Sequence, residues 1–296
     1  MIEAASLAHL LNGLLMILLP VSLGVYLTRK FRLGWRLWWI GAGVFILSQV
    51  GHIPFNFGLT ALFQQGILPK PPESWTPVFN AVVLGLSAGL WEEMARYAAY
   101  RWWARDARSW GKGLILGAGH GGIEAIILGG IVLATFANMV VARSLDLSSL
   151  VPPEQLAAAQ QQVAAYWSAP WHLIMLGWIE RCLAIIFHLA ASLLVLQVFV
   201  RRQIGCRRQI GWLWLAVGWH ALLDAVAVYA AHIWMPYLVE GLIGVLALVS
   251  LWIIFSLRQP EPVEQEQSPV SPIETTLQPL SDVKETVENL EKTRYE

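Results

Sequence analysis

The sequence predicts an all-α polytopic membrane protein with about seven transmembrane helices. Of its 296 residues, 56% are hydrophobic and only 14% are charged, whereas a soluble domain usually carries about 25% charged residues. Apolar runs of about 20 residues, the length that crosses a bilayer as a helix, recur along the chain. The net charge is zero, so the composition indicates the lipid bilayer as a partner and no nucleic acid.

The apolar runs predict the spans in order. The first run begins close to the N-terminus and lacks the basic region of a signal peptide, so we expect it to be a retained span. Proline at position 236 predicts a tight turn before the last span. A polar, alanine-rich segment between Arg143 and Pro170 predicts a surface helix. The predicted spans cover residues 4–28, 35–57, 76–100, 112–142, 171–200, 210–231 and 235–257.

Positive charge falls in alternate loops, namely those after the first, third and fifth spans. Such loops are cytoplasmic by the positive-inside rule, which predicts an external N-terminus and a cytoplasmic C-terminus. The basic residues are Arg29, Lys30, Arg32, Arg36, Arg101, Arg105, Arg108, Lys112, Arg201, Arg202, Arg207 and Arg208.

The end of the chain differs from the rest in composition. Residues 259–296 are rich in Pro, Ser, Gln and Glu and have too little apolar content to form a core. The sequence therefore predicts a transmembrane domain over 1–258 and a disordered acidic cytoplasmic tail over 259–296. The two cysteines, Cys182 and Cys206, indicate neither a disulfide framework nor a CxxC metal motif.

Charged and imidazole side chains lie within the predicted spans, beginning with the stretch "LWEEMARY" in the third. Burying such a group without a partner costs several kcal/mol, so it indicates a functional site. At 1.5 Å per residue, Glu93, His120, His188 and His220 fall about 12–20 Å below the cytoplasmic surface, and Glu124 and Asp224 lie one turn deeper. The charged and imidazole groups come from four spans and are Glu92, Glu93, Arg96, His120, Glu124, His188, His220 and Asp224.

Spacing within the helices places several of these groups on common faces. His120 with Glu124, and His220 with Asp224, are four residues apart, and Arg96 lies three and four residues after the two glutamates. A carboxylate one turn from an imidazole can fix its tautomer, and an arginine can hold a carboxylate ionised. The plainer interpretation is that the polar groups only hold helices together.

Two further features of the spans are weaker. Gln49, His52 and Asn56 share one face of the second span, where they either line the same cavity or form a polar packing stripe. Small residues recur every four positions in the fourth span, which favours close helix packing. They are Gly113, Gly117, Gly121, Ala125 and Gly129.

Several types of hydrolytic motif are excluded or disfavoured. The absence of HExxH excludes a zincin helix. The sequence "GLSAG" at 85–89 matches G-x-S-x-G without the strand-turn-helix context of a nucleophile elbow. A dyad of Ser87 with His188 or His220 remains a remote alternative.

Two chemical routes remain open for the Glu/His cluster. A glutamate can act as general base on water while histidines stabilise the oxyanion. Alternatively, two histidines and an acid can bind a zinc ion that activates the water, which needs three protein ligands and an open position.

The motifs "EEMAR", "GHGGIE" and "HALLD", with a lone histidine in the span between the last two, resemble the YhfC family of intramembrane metalloproteases. That family is related to the type II CAAX prenyl endopeptidases, the PrsW proteases and the APH subunit of γ-secretase. In the CAAX enzymes a Glu-Glu pair precedes an arginine and a histidine motif ends in Asn or Asp. Glu92-Glu93 with Arg96 is similar to the first of these, and His220 with Asp224 to the last.

The resemblance implies roles for individual residues. Glu92 or Glu93 would activate water, and His188 and His220 would stabilise the oxyanion or bind a metal ion together with Glu93 or His120. The additional ligands or orienting groups would be His120, Glu124 and Asp224. From their positions in the spans alone, Arg96, His52 and Asn56 are further candidate orienting residues.

The resemblance also implies an intramembrane endopeptidase of the bacterial plasma membrane, acting on a membrane-associated peptide or protein. Similarity to the APH subunit keeps a non-catalytic scaffold as the alternative. A proton-coupled transporter is a third reading, although the chain lacks the internal repeat that many transporters carry.

Overall fold

The computed structural model describes residues 4–149, 151–201 and 206–259, and all regular secondary structure in these ranges is helical. This confirms the predicted all-α class. The predicted tail lies, apart from Gln259, outside the described residues. The helices are α1 Ala4–Lys30, α2 Arg36–Gln64, α3 Thr76–Ala98, α4 Trp110–Ser144, α5 Pro153–Ser168, α6 Trp171–Ile174, α7 Leu176–Val200, α8 Cys206–Ile233 and α9 Pro236–Ser256.

Within the described ranges, six helices are long and apolar enough to cross a membrane, namely α1, α2, α4, α6 with α7, α8 and α9. Helix α3 has 23 residues and packs between α2 and α8, but Glu92, Glu93 and Arg96 lower its hydropathy. The expectation of about seven transmembrane helices therefore agrees with the fold.

Two predicted spans differ in detail from the helices. Helix α2 continues through Pro54 to Gln64, seven residues past the predicted end at 57. Proline removes one backbone hydrogen bond, and a long helix can tolerate that loss without ending. The fifth span is interrupted at Met175, between α6 and α7. Pro236 begins α9, as the turn prediction requires.

Helix α4 lies at the centre of the bundle and packs against α1, α2 and α7. Its small residues permit this: a Cβ on Gly119 would lie 1.9 Å from the Trp38 carbonyl oxygen, and one on Gly121 would lie 2.8 Å from the His188 ring. Helices α3 and α8 also approach closely, because Cβ atoms on Gly85 and Gly89 would lie 2.4 and 2.6 Å from carbonyl oxygens of α8. The glycines of "GLSAG" therefore serve helix packing within a regular helix.

Arginine side chains hold the loop that follows α3. Arg108 donates hydrogen bonds of 2.9–3.0 Å to the carbonyls of Tyr100, Ala104 and Ala107 after α3. In the same region Arg36 pairs with Asp106 at 2.9 Å and thereby lowers the pKa of the Asp106 carboxyl. These contacts fix the end of α3, and with it the orientation of the acidic residues one to two turns earlier.

Helix α5 is the predicted surface helix. None of its residues is buried, and Tyr166 near its end stacks on His9 of α1 with ring centroids 3.9 Å apart.

Candidate active site

The charged and imidazole residues predicted from four spans meet in the interior of the bundle. Glu93, Arg96 and His120 are fully buried at 0% exposure, and His188 and His220 are buried almost as completely. They come from α3, α4, α7 and α8, which the glycine contacts hold close together.

Glu93 lies between a cation and an imidazole. Arg96 Nη1 donates to both carboxylate oxygens of Glu93 at 2.5 Å, and His220 Nδ1 lies 2.7 Å from Oε1. Because a carboxylate only accepts, Nδ1 carries the proton that it shares with Glu93. His220 Nε2 then faces Asp224 at 3.4 Å and Glu92 at 3.8 Å.

Glu92 points to a different set of partners from its neighbour. Its Oε2 lies 3.0 Å from His120 Nε2, and its Oε1 accepts a hydrogen bond of 3.0 Å from Gln49 Nε2. No guanidinium group is within ion-pair distance of Glu92 among the described residues. Glu92 is thus held by uncharged donors, whereas Glu93 is held by Arg96.

His188 connects the two sides of the cluster. Its Nε2 lies 2.7 Å from Glu124 Oε2, and its Nδ1 lies 3.3 Å from Arg96 Nη2. Since a guanidinium only donates, Nδ1 is the acceptor and Nε2 carries the proton given to Glu124. Arg181 donates to Glu124 at 2.6 Å and also pairs with Glu180.

Three buried residues could hold a metal ion. Glu92, His120 and His188 each offer a ligand atom within 4.8 Å of the other two, compared with about 3.4 Å between ligands of a tetrahedral zinc ion. Two imidazole nitrogens and one carboxylate oxygen are a ligand set that zinc accepts in catalytic sites. His120 Nδ1 has no hydrogen-bond partner among the described residues.

This group differs from the set expected from the sequence, which was His188 and His220 with Glu93 or His120. His188 and His120 are common to both. Glu93 and His220 instead bind each other, and Glu92 takes the place beside His120.

A cavity of about 100 Å³ adjoins the cluster and is lined by Glu92, His188, His220, Asp224 and Glu180, among others. It extends towards the start of α7, where Glu180 lies. This is the end of the bundle opposite the basic loops. Towards the basic loops, the last turns of α7 and the first turns of α8 contribute to an apolar core.

The polar face of α2 joins the cluster through Gln49. His52 Nδ1 lies 3.3 Å from Gln49 Oε1, and His52 Nε2 contacts Asn56 Nδ2 at 2.9 Å and Ser87 Oγ at 3.1 Å. Ser87 therefore meets His52 rather than the histidines of the suggested dyad. In the sequence, Gln49 is recognisable only because it shares a helix face with His52. Its hydrogen bond to Glu92 of α3 cannot be predicted from the spacing.

The fold and this cluster define the class: a polytopic helical membrane protein with a Glu/His site enclosed by its helices. The profile of the YhfC intramembrane metalloprotease family matches residues 15–243, and the chain belongs to that family.

A similar protein of Bacillus subtilis (strain 168), described as an uncharacterized membrane protein YhfC, is 32% identical over 200 residues, covering 65% of this chain and 74% of that protein. No solved structure matches the chain.

Proposed function

We propose that this chain is an active intramembrane metallopeptidase of a bacterial plasma membrane that hydrolyses a membrane-associated peptide or protein. The observation that carries the proposal is the buried group of Glu92, His120 and His188, whose ligand atoms lie within 4.8 Å of one another beside a polar cavity. Family membership supports the same class of reaction.

Glu92, His120 and His188 would hold the metal ion, and zinc is the ion that this donor set favours. A zinc ion supplies Lewis-acid polarisation and water activation when bound. The two rings are already close, with the His120 and His188 centroids 5.0 Å apart. Gln49 holds one oxygen of Glu92 and leaves the other directed towards His120.

His220 is suited to carry a proton between the cavity and the substrate. Glu93 fixes its Nδ1, so Nε2 is the atom that can accept and release a proton, and it faces the cavity between Glu92 and Asp224. An imidazole in this position can act in general acid–base catalysis. Glu93 is then a positioning residue, because it is fully buried and occupied by Arg96 and His220.

A non-catalytic scaffold is the second candidate. It is favoured by the observation that both ring nitrogens of His188 and of His220 already have partners on other helices or one turn away. Pairing of this kind also serves to hold membrane helices together.

Metal analysis with a matched histidine control tests the proposal. We expect about one zinc ion per purified wild-type chain, and loss of that ion in His120→Ala and His188→Ala, which each remove one of three ligands. His172→Ala should keep the ion, because His172 is an exposed residue paired with Tyr237.

Peptidase activity is measured in the same proteoliposomes with fluorogenic transmembrane peptides. His220→Gln should lower cleavage by about 10²-fold or more while retaining the metal, as expected when a proton carrier is lost. Wild-type protein that binds no zinc above the level of His120→Ala, and that cleaves no peptide, would favour the scaffold.

A further inference from the structure

A cleft separates the second half of α2 from the first half of α3, at the end of the bundle opposite the basic loops. Two adjoining cavities of about 270 and 380 Å³ fill it. Thr60 and Asn80 line both cavities, Asn56 lines the inner one, and Lys70 and Glu73 of the α2–α3 loop line the outer one. The cleft thus runs from the loop surface to the middle of α2.

A chain of hydrogen bonds continues from the inner end of the cleft to the candidate active site. Asn56 Nδ2 donates to His52 Nε2 at 2.9 Å, so that His52 Nδ1 carries the proton and donates to Gln49 Oε1 at 3.3 Å. Gln49 Nε2 then donates to Glu92 Oε1 at 3.0 Å. Every donor in the series points towards Glu92, so a continuous polar path joins the cleft to that carboxylate.

The cleft is lined by polar side chains as well as by aromatic and aliphatic ones, and the polar side chains distinguish it from an ordinary gap between helices in lipid. Asn56 Oδ1 has no hydrogen-bond partner among the described residues, and leaving a buried amide oxygen unpaired costs about 1–3 kcal/mol. An acyl chain in the cleft could not pair with Asn56, Thr60 or Asn80. Water could, and cavities that contain water are those with polar partners and room for it.

We propose that the cleft between α2 and α3 is filled with water from the α2–α3 loop as far as Asn56, and that Asn56, His52 and Gln49 connect this water to Glu92 by hydrogen bonds. A hydrolytic site inside a bilayer needs contact with solvent, and this series of side chains supplies it. The inference concerns solvent and stands independently of whether the chain cleaves peptides.

Cysteine accessibility tests the proposal without any substrate. Asn56→Cys, Thr60→Cys and Asn80→Cys are made separately in a chain whose two natural cysteines are replaced by serine, and a membrane-impermeant anionic methanethiosulfonate is added to proteoliposomes. The controls are Phe57→Cys and Val82→Cys, whose native side chains are 73% and 45% exposed on the outside of the bundle.

Only the thiolate reacts, and an apolar environment raises the thiol pKa. Each unit of that rise lowers the thiolate fraction tenfold, so we expect the cleft positions to react at least about tenfold faster than the controls. A Lys70→Cys variant marks the side of the α2–α3 loop, and the cleft positions should react from that same side.

Two results would overturn the proposal. The first is that the cysteines at all three cleft positions react as slowly as those at the lipid-facing control positions in folded protein. The second is faster modification from the side of the basic loops, which would place the water supply at the opposite end. Complete labelling after denaturation, together with elution as a single species beforehand, confirms that each folded variant was measured.

Discussion

Replacing Glu93 by glutamine removes the carboxylate that lies between Arg96 and His220, and we expect a large loss of stability. Arg96 and Glu93 are both 0% exposed, and Nη1 contacts both oxygens at 2.5 Å. Removing one partner of a buried pair costs about 3–5 kcal/mol because it leaves the other charge uncompensated. At about 2–4 °C per kcal/mol for a domain of this size, the melting temperature should fall by about 6–20 °C.

The adjacent residue provides a matched control. Glu92→Gln makes the same chemical change one position earlier, but Glu92 is held by Gln49 and His120 rather than by a guanidinium group. The amide oxygen can accept from Gln49, and the amide NH2 group can donate to His120 Nε2 when that ring carries its proton on Nδ1, which has no other partner among the described residues. We therefore expect a shift below about 1 kcal/mol. Thermal unfolding of the two variants in the same detergent measures the difference directly.

The double variant Glu93→Gln/Arg96→Met identifies the cause. Replacing both members of a buried pair by groups without charge is often neutral, so most of the lost stability should return. A Glu93→Gln protein with the melting temperature of the wild type would refute the argument, as would a double variant less stable than the single one.

Two further predictions follow from packing and charge. Gly121→Ala places a methyl group 2.8 Å from the His188 ring. We expect it to lower the free energy of unfolding by about 1–3 kcal/mol and to lower the zinc content. Gly130→Ala has no atom within 4 Å of the new Cβ and should change neither quantity. Equal zinc content and melting temperature in the two variants would contradict the role of the close contact. A reporter fused after Arg202 should be cytoplasmic and one inserted at Gln160 external, and the reverse result would overturn the assigned orientation.

The sequence was sufficient to predict which residues gather in the site but not which of them pair. His220 and Asp224 are four residues apart and do contact each other at 3.4 Å. His120 and Glu124 have the same spacing, yet His120 pairs with Glu92 of α3 and Glu124 with His188 of α7. Partner choice depends on how each helix is rotated against its neighbours, which close contacts such as that of Gly121 on His188 determine.

The two adjacent glutamates show the same limit. Successive residues of a helix point about 100° apart. The positions of Glu92 and Glu93 along the sequence place them at the same depth but do not show which one faces the cavity. In the structure Glu92 lines the cavity and Glu93 is enclosed by Arg96 and His220. The direction in which the cavity extends cannot be predicted from the sequence for a related reason, since it depends on packing between α7 and α8 that periodicity does not reveal.

The charge of the cluster bears on the choice between metallopeptidase and scaffold. Of the two carboxylates of α3, Glu93 is held by Arg96, whereas no guanidinium group lies within ion-pair distance of Glu92 among the described residues. A scaffold needs no such carboxylate beside His120, because neutral polar groups are enough to hold helices together. A divalent cation would supply the positive partner that Glu92 lacks. This difference between the two glutamates therefore supports a metal site at Glu92.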